Sequence, residues 1–259
     1  MNILEGEGIT KHFGGVTANK DIHFHLGKGE ILGLIGPNGS GKTTLINIVG
    51  GNIKPDKGKI QFEGMDMIGL KPYHICRLGI SRTYQVVQPF AGMTVRETVV
   101  AGTMFGRNPQ RSMALAMRKA EEVLELVHLQ DKTHELAEEL TVADLKKLEL
   151  AKALSGDPKV LLLDEVMAGL TPRETDEAMA LTLKIRKSGV TIFIVEHVMK
   201  AVMGISDRIM VLHQGSLMAT GTPQEIIRNE SVIQAYLGEK YAQKKRVSKE
   251  GESNAIVRS

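Results

Sequence analysis

Gly36-Pro37-Asn38-Gly39-Ser40-Gly41-Lys42-Thr43 fits the pattern G-x-x-x-x-G-K-[ST] and follows an apolar run, Ile31 to Ile35, that reads as a strand. Glycines at these spacings let the backbone curl so that successive N–H groups point inward at phosphate oxygens. The helix that starts near Lys42 adds its positive dipole end. Lys42 then reaches the β- and γ-phosphates of a nucleoside triphosphate, and the Thr43 hydroxyl sits on Mg2+. The candidate phosphate-binding set is Gly36, Asn38, Gly39, Ser40, Gly41, Lys42, Thr43 and Thr44. A plain Gly-rich turn is the competing reading. The strand before and the helix-compatible run Thr44-Leu45-Ile46-Asn47-Ile48-Val49 after it weigh against that.

Working outward, Ile22, Phe24 and Leu26 alternate onto one strand face and Gly27-Lys28-Gly29 turns the chain into Glu30 to Ile35. Downstream, Pro55-Asp56-Lys57-Gly58 has turn chemistry, Lys59 to Phe62 reads as a short strand and Pro72 to Leu78 as a helix. From about Ser81 to Pro158 the pattern is helical, opened by Thr94 with Glu97 three residues on and continued by Met113 to Val127. Strand-type runs return at Val160 to Leu163 and Val190 to Val195, with a crossover helix introduced by Thr171-Pro172-Arg173-Glu174. Arg208 to Leu212 and Ser216 to Thr220 form a hairpin pattern, and Thr222-Pro223-Gln224-Glu225 opens a last helix. The expected class is α/β: a P-loop NTPase core with an antiparallel β edge and an α-helical subdomain inserted at about 81–158.

Hydrolysis also needs an acid for the metal and a group to orient water. Val160-Leu161-Leu162-Leu163-Asp164-Glu165 is an apolar strand that ends in two acids, and ligands of open parallel sheets sit at the carboxyl ends of strands. Asp164 is the candidate Mg2+ partner and Glu165 the candidate base for the attacking water. The alternative is a pair of acids that merely solvates a loop. Ile192-Phe193-Ile194-Val195-Glu196-His197 repeats the arrangement and brings His197 to the same edge. His23 and His25 flank Phe24 on one strand face, but two histidines without a third ligand make a poor metal site, so they read as structural.

At 259 residues the chain can bury a full α/β core. Its net charge of +3 gives no electrostatic case for nucleic acid. The single cysteine, Cys76, allows no internal disulfide and suits a reducing compartment. No window approaches the roughly 18 uninterrupted apolar residues of a bilayer span. Met1-Asn2-Ile3-Leu4-Glu5 lacks the basic and apolar blocks of a secretion signal. A soluble, cytosolic chain is the expectation, with one domain over 1–241 and a polar, disordered tail over 242–259.

The order of these motifs resembles the nucleotide-binding subunit of ABC transporters, from about Ile3 to Tyr241. Four strings resemble the branched-chain amino acid importer ATPases: His12-Phe13-Gly14-Gly15, Arg82-Thr83-Tyr84-Gln85, Ala168-Gly169-Leu170-Thr171-Pro172 and Ala235-Tyr236-Leu237-Gly238-Glu239. The resemblance implies ATP and Mg2+ as cofactors, adenine stacked on Phe13, and Gln85 contacting Mg2+ and water and sensing the permease, with Gln88 a less favoured alternative. It implies that His197 hydrogen-bonds the γ-phosphate. Read without it, Phe13 could be core. Leu140-Thr141-Val142-Ala143-Asp144 departs from the family's Leu-Ser-Gly-Gly-Gln, which closes over the γ-phosphate of a partner subunit. Thr141 keeps the hydroxyl, Val142 and Ala143 add Cβ atoms, and Asp144 adds negative charge. Val166 and Thr171 are lesser departures.

These expectations add up to an ATP-hydrolysing motor subunit on the cytoplasmic face of the membrane. The cargo is branched-chain or related amino acids. Its partners are integral-membrane permeases, a second ATPase subunit and, indirectly, a periplasmic or extracellular substrate-binding protein. Tyr84, Pro89 and Phe90 are candidate permease contacts, although each could be core. A lipopolysaccharide- or lipid-export ATPase is the nearest alternative. A soluble ABC ATPase acting on DNA or ribosomes fits less well, for want of a coiled-coil insert or a second nucleotide domain.

Overall fold

Residues 1–84 and 90–236 are described by the structure, a computed structural model. Gln85, Gln88, Pro89, Leu237-Gly238-Glu239 and the tail over 242–259 lie outside the described residues. In chain order, β1 (Asn2–Phe13) and β2 (Val16–Gly27) form a long hairpin, β3 (Ile31–Ile35) leads into the Gly-rich loop, and α1 (Lys42–Val49) follows it. Next come β4 (Lys57–Phe62), β5 (Met65–Asp66), α2 (Pro72–Leu78) and β6 (Ile80–Arg82). Three helices succeed them: α3 (Val95–Phe105), α4 (Met113–Leu126) and α5 (Val142–Ser155). The chain then alternates through β7 (Val160–Asp164), α6 (Pro172–Lys187), β8 (Thr191–Val195) and α7 (Met199–Ile205). Next come β9 (Arg208–His213), β10 (Ser216–Gly221) and α8 (Pro223–Arg228), and residues 230–236 are helical again.

Local chemistry sets these boundaries. Thr94, Thr171 and Thr222 each accept a hydrogen bond from the backbone amide of a glutamate three residues on, whose carboxylate answers the cap's own amide. Such reciprocal caps satisfy two orphan donors at once and start α3, α6 and α8. Pro172 and Pro223 occupy first-turn positions where a missing N–H costs nothing.

Two sheets result, one antiparallel in the order β2-β1-β4-β5 and one of six strands in the order β10-β9-β3-β8-β7-β6. The second is parallel from β9 to β6, with β10 antiparallel at its edge. Strand alternation divides the core. Leu161, Leu163, Ile192 and Ile194 face the helices α3 to α6, whereas Val160, Leu162, Phe193 and Val195 face α1 and the antiparallel sheet. Apolar residues on both faces are why β7 and β8 read as continuous runs.

The sheet differs from the sequence expectation at β6. Ser81, where the helical stretch was expected to start, pairs with Leu161 inside a three-residue strand. So short a strand carries no periodicity of its own; pairing with β7 creates it.

Candidate active site

Register brings three strand tips level. Leu34 pairs with Val195, and Val195 with Asp164. Hence β3, β8 and β7 deliver Gly36, His197 and Glu165 to one rim of the sheet, the carboxyl rim where ligands of parallel sheets bind.

The loop at that rim is braced from behind. Asn19 Nδ2 donates to the Gly41 carbonyl at 3.2 Å. The Gly215 amide, in the turn between β9 and β10, donates to the Ser40 carbonyl at 3.1 Å, and the Lys20 amide donates to the Gly215 carbonyl at 2.7 Å. These contacts make glycine obligatory at two positions. A Cβ on Gly36 would stand 2.2 Å from the Leu212 carbonyl oxygen, and one on Gly41, at φ 100°, 2.2 Å from that of Ala18. Lys42 is buried, and its Nζ donates to the carbonyls of Gly36 at 2.7 Å and Pro37 at 2.9 Å, folding the ammonium back across the loop.

What the loop offers is suited to an anion. No side chain caps α1 and no acid stands in its first turn. Ser40 Oγ is buried with no hydrogen-bond partner, and a Cβ on Gly39 would meet only open space. Asn38 and Thr43 are exposed beside them, and Thr44 is half-buried. Amides at an uncapped helix start, with a lysine among them, are the donor set that phosphate oxygens take.

Among the described residues, no cluster of three His, Cys, Asp or Glu side chains could hold a metal. The donors fit Mg2+ nonetheless, because that ion takes one or two protein oxygens and fills its remaining positions with substrate phosphates and water. Thr43 and Asp164 carry oxygens of that kind.

Asp164 is buried and paired with Arg82, whose Nη2 donates to Oδ2 at 2.7 Å while Nη1 donates to Asn47 Oδ1 on α1 at 2.7 Å. Thr83 Oγ1 accepts from the Asp164 amide at 3.2 Å. Sequence reasoning missed Arg82 and Asn19 as site residues. No spacing rule links position 82 to 164 or 19 to 41; the pairing of β6 with β7, and the packing of β2 behind the loop, do.

Glu165 adopts φ 51°, a left-handed conformation that residues with a side chain rarely take, while its amide donates to the Val195 carbonyl at 2.8 Å. Backbone of this kind concentrates at functional sites. The turn takes Glu165 out of the strand's alternation, and its Oε2 stands 3.7 Å from Nδ1 of the exposed His197.

Three further expectations concern side chains outside the strand tips. Phe13, at the end of β1, is 48% exposed with the Lys11 ammonium 5.5 Å from its ring centroid, so it is not core. Tyr84 and Phe90 are likewise exposed. Thr141 caps α5: its hydroxyl accepts from the Asp144 amide at 3.2 Å and donates to Asp144 Oδ2 at 2.9 Å. Its contacts therefore tie it to its own helix rather than to the Gly-rich loop. Burial opposes the charge on Asp144, but hydrogen bonds from Lys132, Thr141 and Lys147 outweigh it and hold the carboxyl below its usual range. The added negative charge in this motif is thus answered within the chain, by Lys132 at 2.9 Å and Lys147 at 3.3 Å.

The family model described as ABC transporter matches residues 19–168, from Asn19 behind the loop to Ala168 beyond the acid pair. The chain belongs to the ABC transporter family. A second model, for the branched-chain amino acid ATP-binding cassette transporter, matches residues 216–242. Similar to this ABC chain are the high-affinity branched-chain amino acid transport ATP-binding proteins BraF of Pseudomonas aeruginosa, 39% identical, and LivG of Salmonella typhimurium, 40% identical; each alignment covers 92% of this chain and 98% of the relative. Among solved structures, the ADP conformation of MJ1267, an ATP-binding cassette of an ABC transporter, superposes with a TM-score of 0.83 at 30% identity, over 92% of this chain and 99% of that one. The fold is the ABC ATPase fold, and the chain is an ATP-binding, ATP-hydrolysing member of the family. Among the described residues, no helix is long and apolar enough to cross a membrane.

Proposed function

We propose that this ABC ATPase drives import of branched-chain amino acids through integral-membrane partners, from a peripheral position on the cytoplasmic face. Supporting the cargo are the relatives, which are branched-chain amino acid transport proteins, and the match over residues 216–242; both favour import over lipid export. The observation that carries the mechanism is the level register of Leu34, Val195 and Asp164, which sets the lysine loop, the acid pair and His197 on one rim.

In this reading the loop amides and Lys42 bind the β- and γ-phosphates, and Phe13 offers its exposed face to adenine. Thr43, Asp164 and Gln85 would hold Mg2+, which would supply positive charge against the charge of the triphosphate. Glu165 takes the proton of the attacking water, and His197 hydrogen-bonds the γ-phosphate. Thr141 and the first amides of α5 face the γ-phosphate bound by a second ATPase subunit, itself or a related chain. A substrate-binding protein outside the membrane delivers the cargo.

For the membrane partner, a groove of about 410 Å³ runs beside β6, lined by Tyr73, Tyr84, Phe90, Phe105 and Arg82. Exposed aromatic rings around an apolar cleft are what a protruding segment of a permease would fill. The test is purification of the chain from membranes followed by uptake in vesicles. Integral-membrane proteins should accompany it, and ATP should drive entry of leucine, isoleucine or valine. A chain found wholly in the soluble fraction, or vesicles that take up none of the three, would contradict the reading.

A further inference from the structure

One buried acid at the site has no part in the chemistry above. Glu196, between the tip of β8 and His197, is 0% exposed. Its Oε1 accepts the Met167 amide at 2.6 Å, and its Oε2 is buried with no hydrogen-bond partner. Burial raises its pKa and Glu165 adds to that, while the Met167 amide, His197 and Lys146 pull it back. On α5, Lys146 reaches the same loop: its Nζ donates to the Ala168 carbonyl. Burial lowers the Lys146 pKa, and the charges of Glu196 and Glu165 oppose that.

We propose that Glu196 and Lys146 are positioning residues that grip the loop after Glu165, Glu196 through the Met167 amide and Lys146 through the Ala168 carbonyl, and so fix where the Glu165 carboxylate stands. Residues 166–168 follow directly on the left-handed Glu165, so a shift of this loop moves the base. A buried carboxylate oxygen without a partner is costly, and an apolar side chain of similar volume would stabilise the same space better. Acid and lysine of opposite charge, each bonded to the backbone of one short loop, instead make that loop sensitive to both elements. Lys146 also shares α5 with Thr141.

The inference rests on the proposed role of Glu165, and its test is chosen to separate the two. Amide hydrogen exchange is measured on the full, nucleotide-free chain, and steady-state ATP turnover is measured in parallel. Lys146→Met should speed exchange of the Met167 amide about tenfold, although Lys146 does not bond that amide, because the loop opens as a unit. Turnover should fall about tenfold in kcat with KM for ATP within about twofold, the mark of a group acting only on the chemical step. Lys146→Arg should restore both. Glu196→Gln, which keeps an acceptor for Met167 but loses the charge, should lower kcat, and the double variant Lys146→Met/Glu196→Gln should lose less than the product of the two single losses.

Wild-type exchange at Met167 in Lys146→Met, strictly multiplicative losses, or no rescue by arginine would each overturn the proposal. If Lys146→Met fails to fold, Glu196→Ala, which removes the acceptor of the Met167 amide, decides by the same readouts: wild-type exchange at Met167 and wild-type kcat in that variant would refute the grip. Exchange is read without nucleotide, so normal turnover in Glu165→Gln would remove the role of Glu165 while leaving the grip standing.

Discussion

Arg82 and Asp164 form the most buried ion pair of the site, with side chains 8% and 4% exposed. Removing one partner of such a pair leaves an uncompensated charge. Arg82→Ala should therefore cost about 3–5 kcal/mol in urea denaturation, and a loss under about 1 kcal/mol would show that the carboxylate is satisfied without it. Gly41→Ala acts differently, because its Cβ would collide with the Ala18 carbonyl at a φ of 100°. Strain of this kind is local, on the order of 1–3 kcal/mol. The variant should stay folded by circular dichroism yet lose binding of a fluorescent ATP analogue; unimpaired binding would contradict the loop geometry. Gly36, Gly41 and Lys42 were legible together because a phosphate loop dictates residue types at short spacings, whereas Asp164 and His197 were read from the apolar strands that lead to them. Arg82, Asn19 and Glu196 were not, since their partners are 82, 22 and 29 positions away and only strand pairing and packing bring them together.

At the scale of elements, the start of α5 carries the departure from the family motif. Thr141 caps it, so Thr141→Ala should lower stability by about 1 kcal/mol, as cap removal does. Asp144 adds a pH dependence. Its folded-state pKa lies below the unfolded one, so its contribution is complete above the ordinary carboxylate range and is lost as pH falls through the depressed folded value. The stability difference between wild type and Asp144→Asn should accordingly shrink on acidification; a difference that grows would reverse the assignment. Caps and apolar periodicity made α2, α3, α4 and the β9–β10 hairpin readable, because those signals are local. β6 was read as helix, since three residues hold no period and tertiary pairing outweighs propensity. Nor did the sequence pattern tell that Lys132 and Lys147 neutralise Asp144.

Over the whole molecule, one sheet separates the two largest hydrophobic clusters, and a third, smaller one gathers Ile35, Val202, Ile209, Val211, Ile226 and Val232. The face toward α1 and the antiparallel sheet supports the Gly-rich loop, and the opposite face supports the helices that carry Thr141. Under the proposed pairing of two chains, the α5 start of each would face the nucleotide bound by the other. Turnover in dilute solution should then rise with the square of protein concentration, whereas a linear rise would mean that one chain suffices. The central claim remains that triphosphate chemistry occurs at the shared rim of β3, β7 and β8, with Glu165 as base. Its most direct test compares ATP binding and hydrolysis in Glu165→Gln with wild type. Removal of a general base typically slows turnover by roughly 10²–10⁴, so the account predicts intact ATP binding with turnover reduced on that scale, and near-normal hydrolysis by the variant would contradict it.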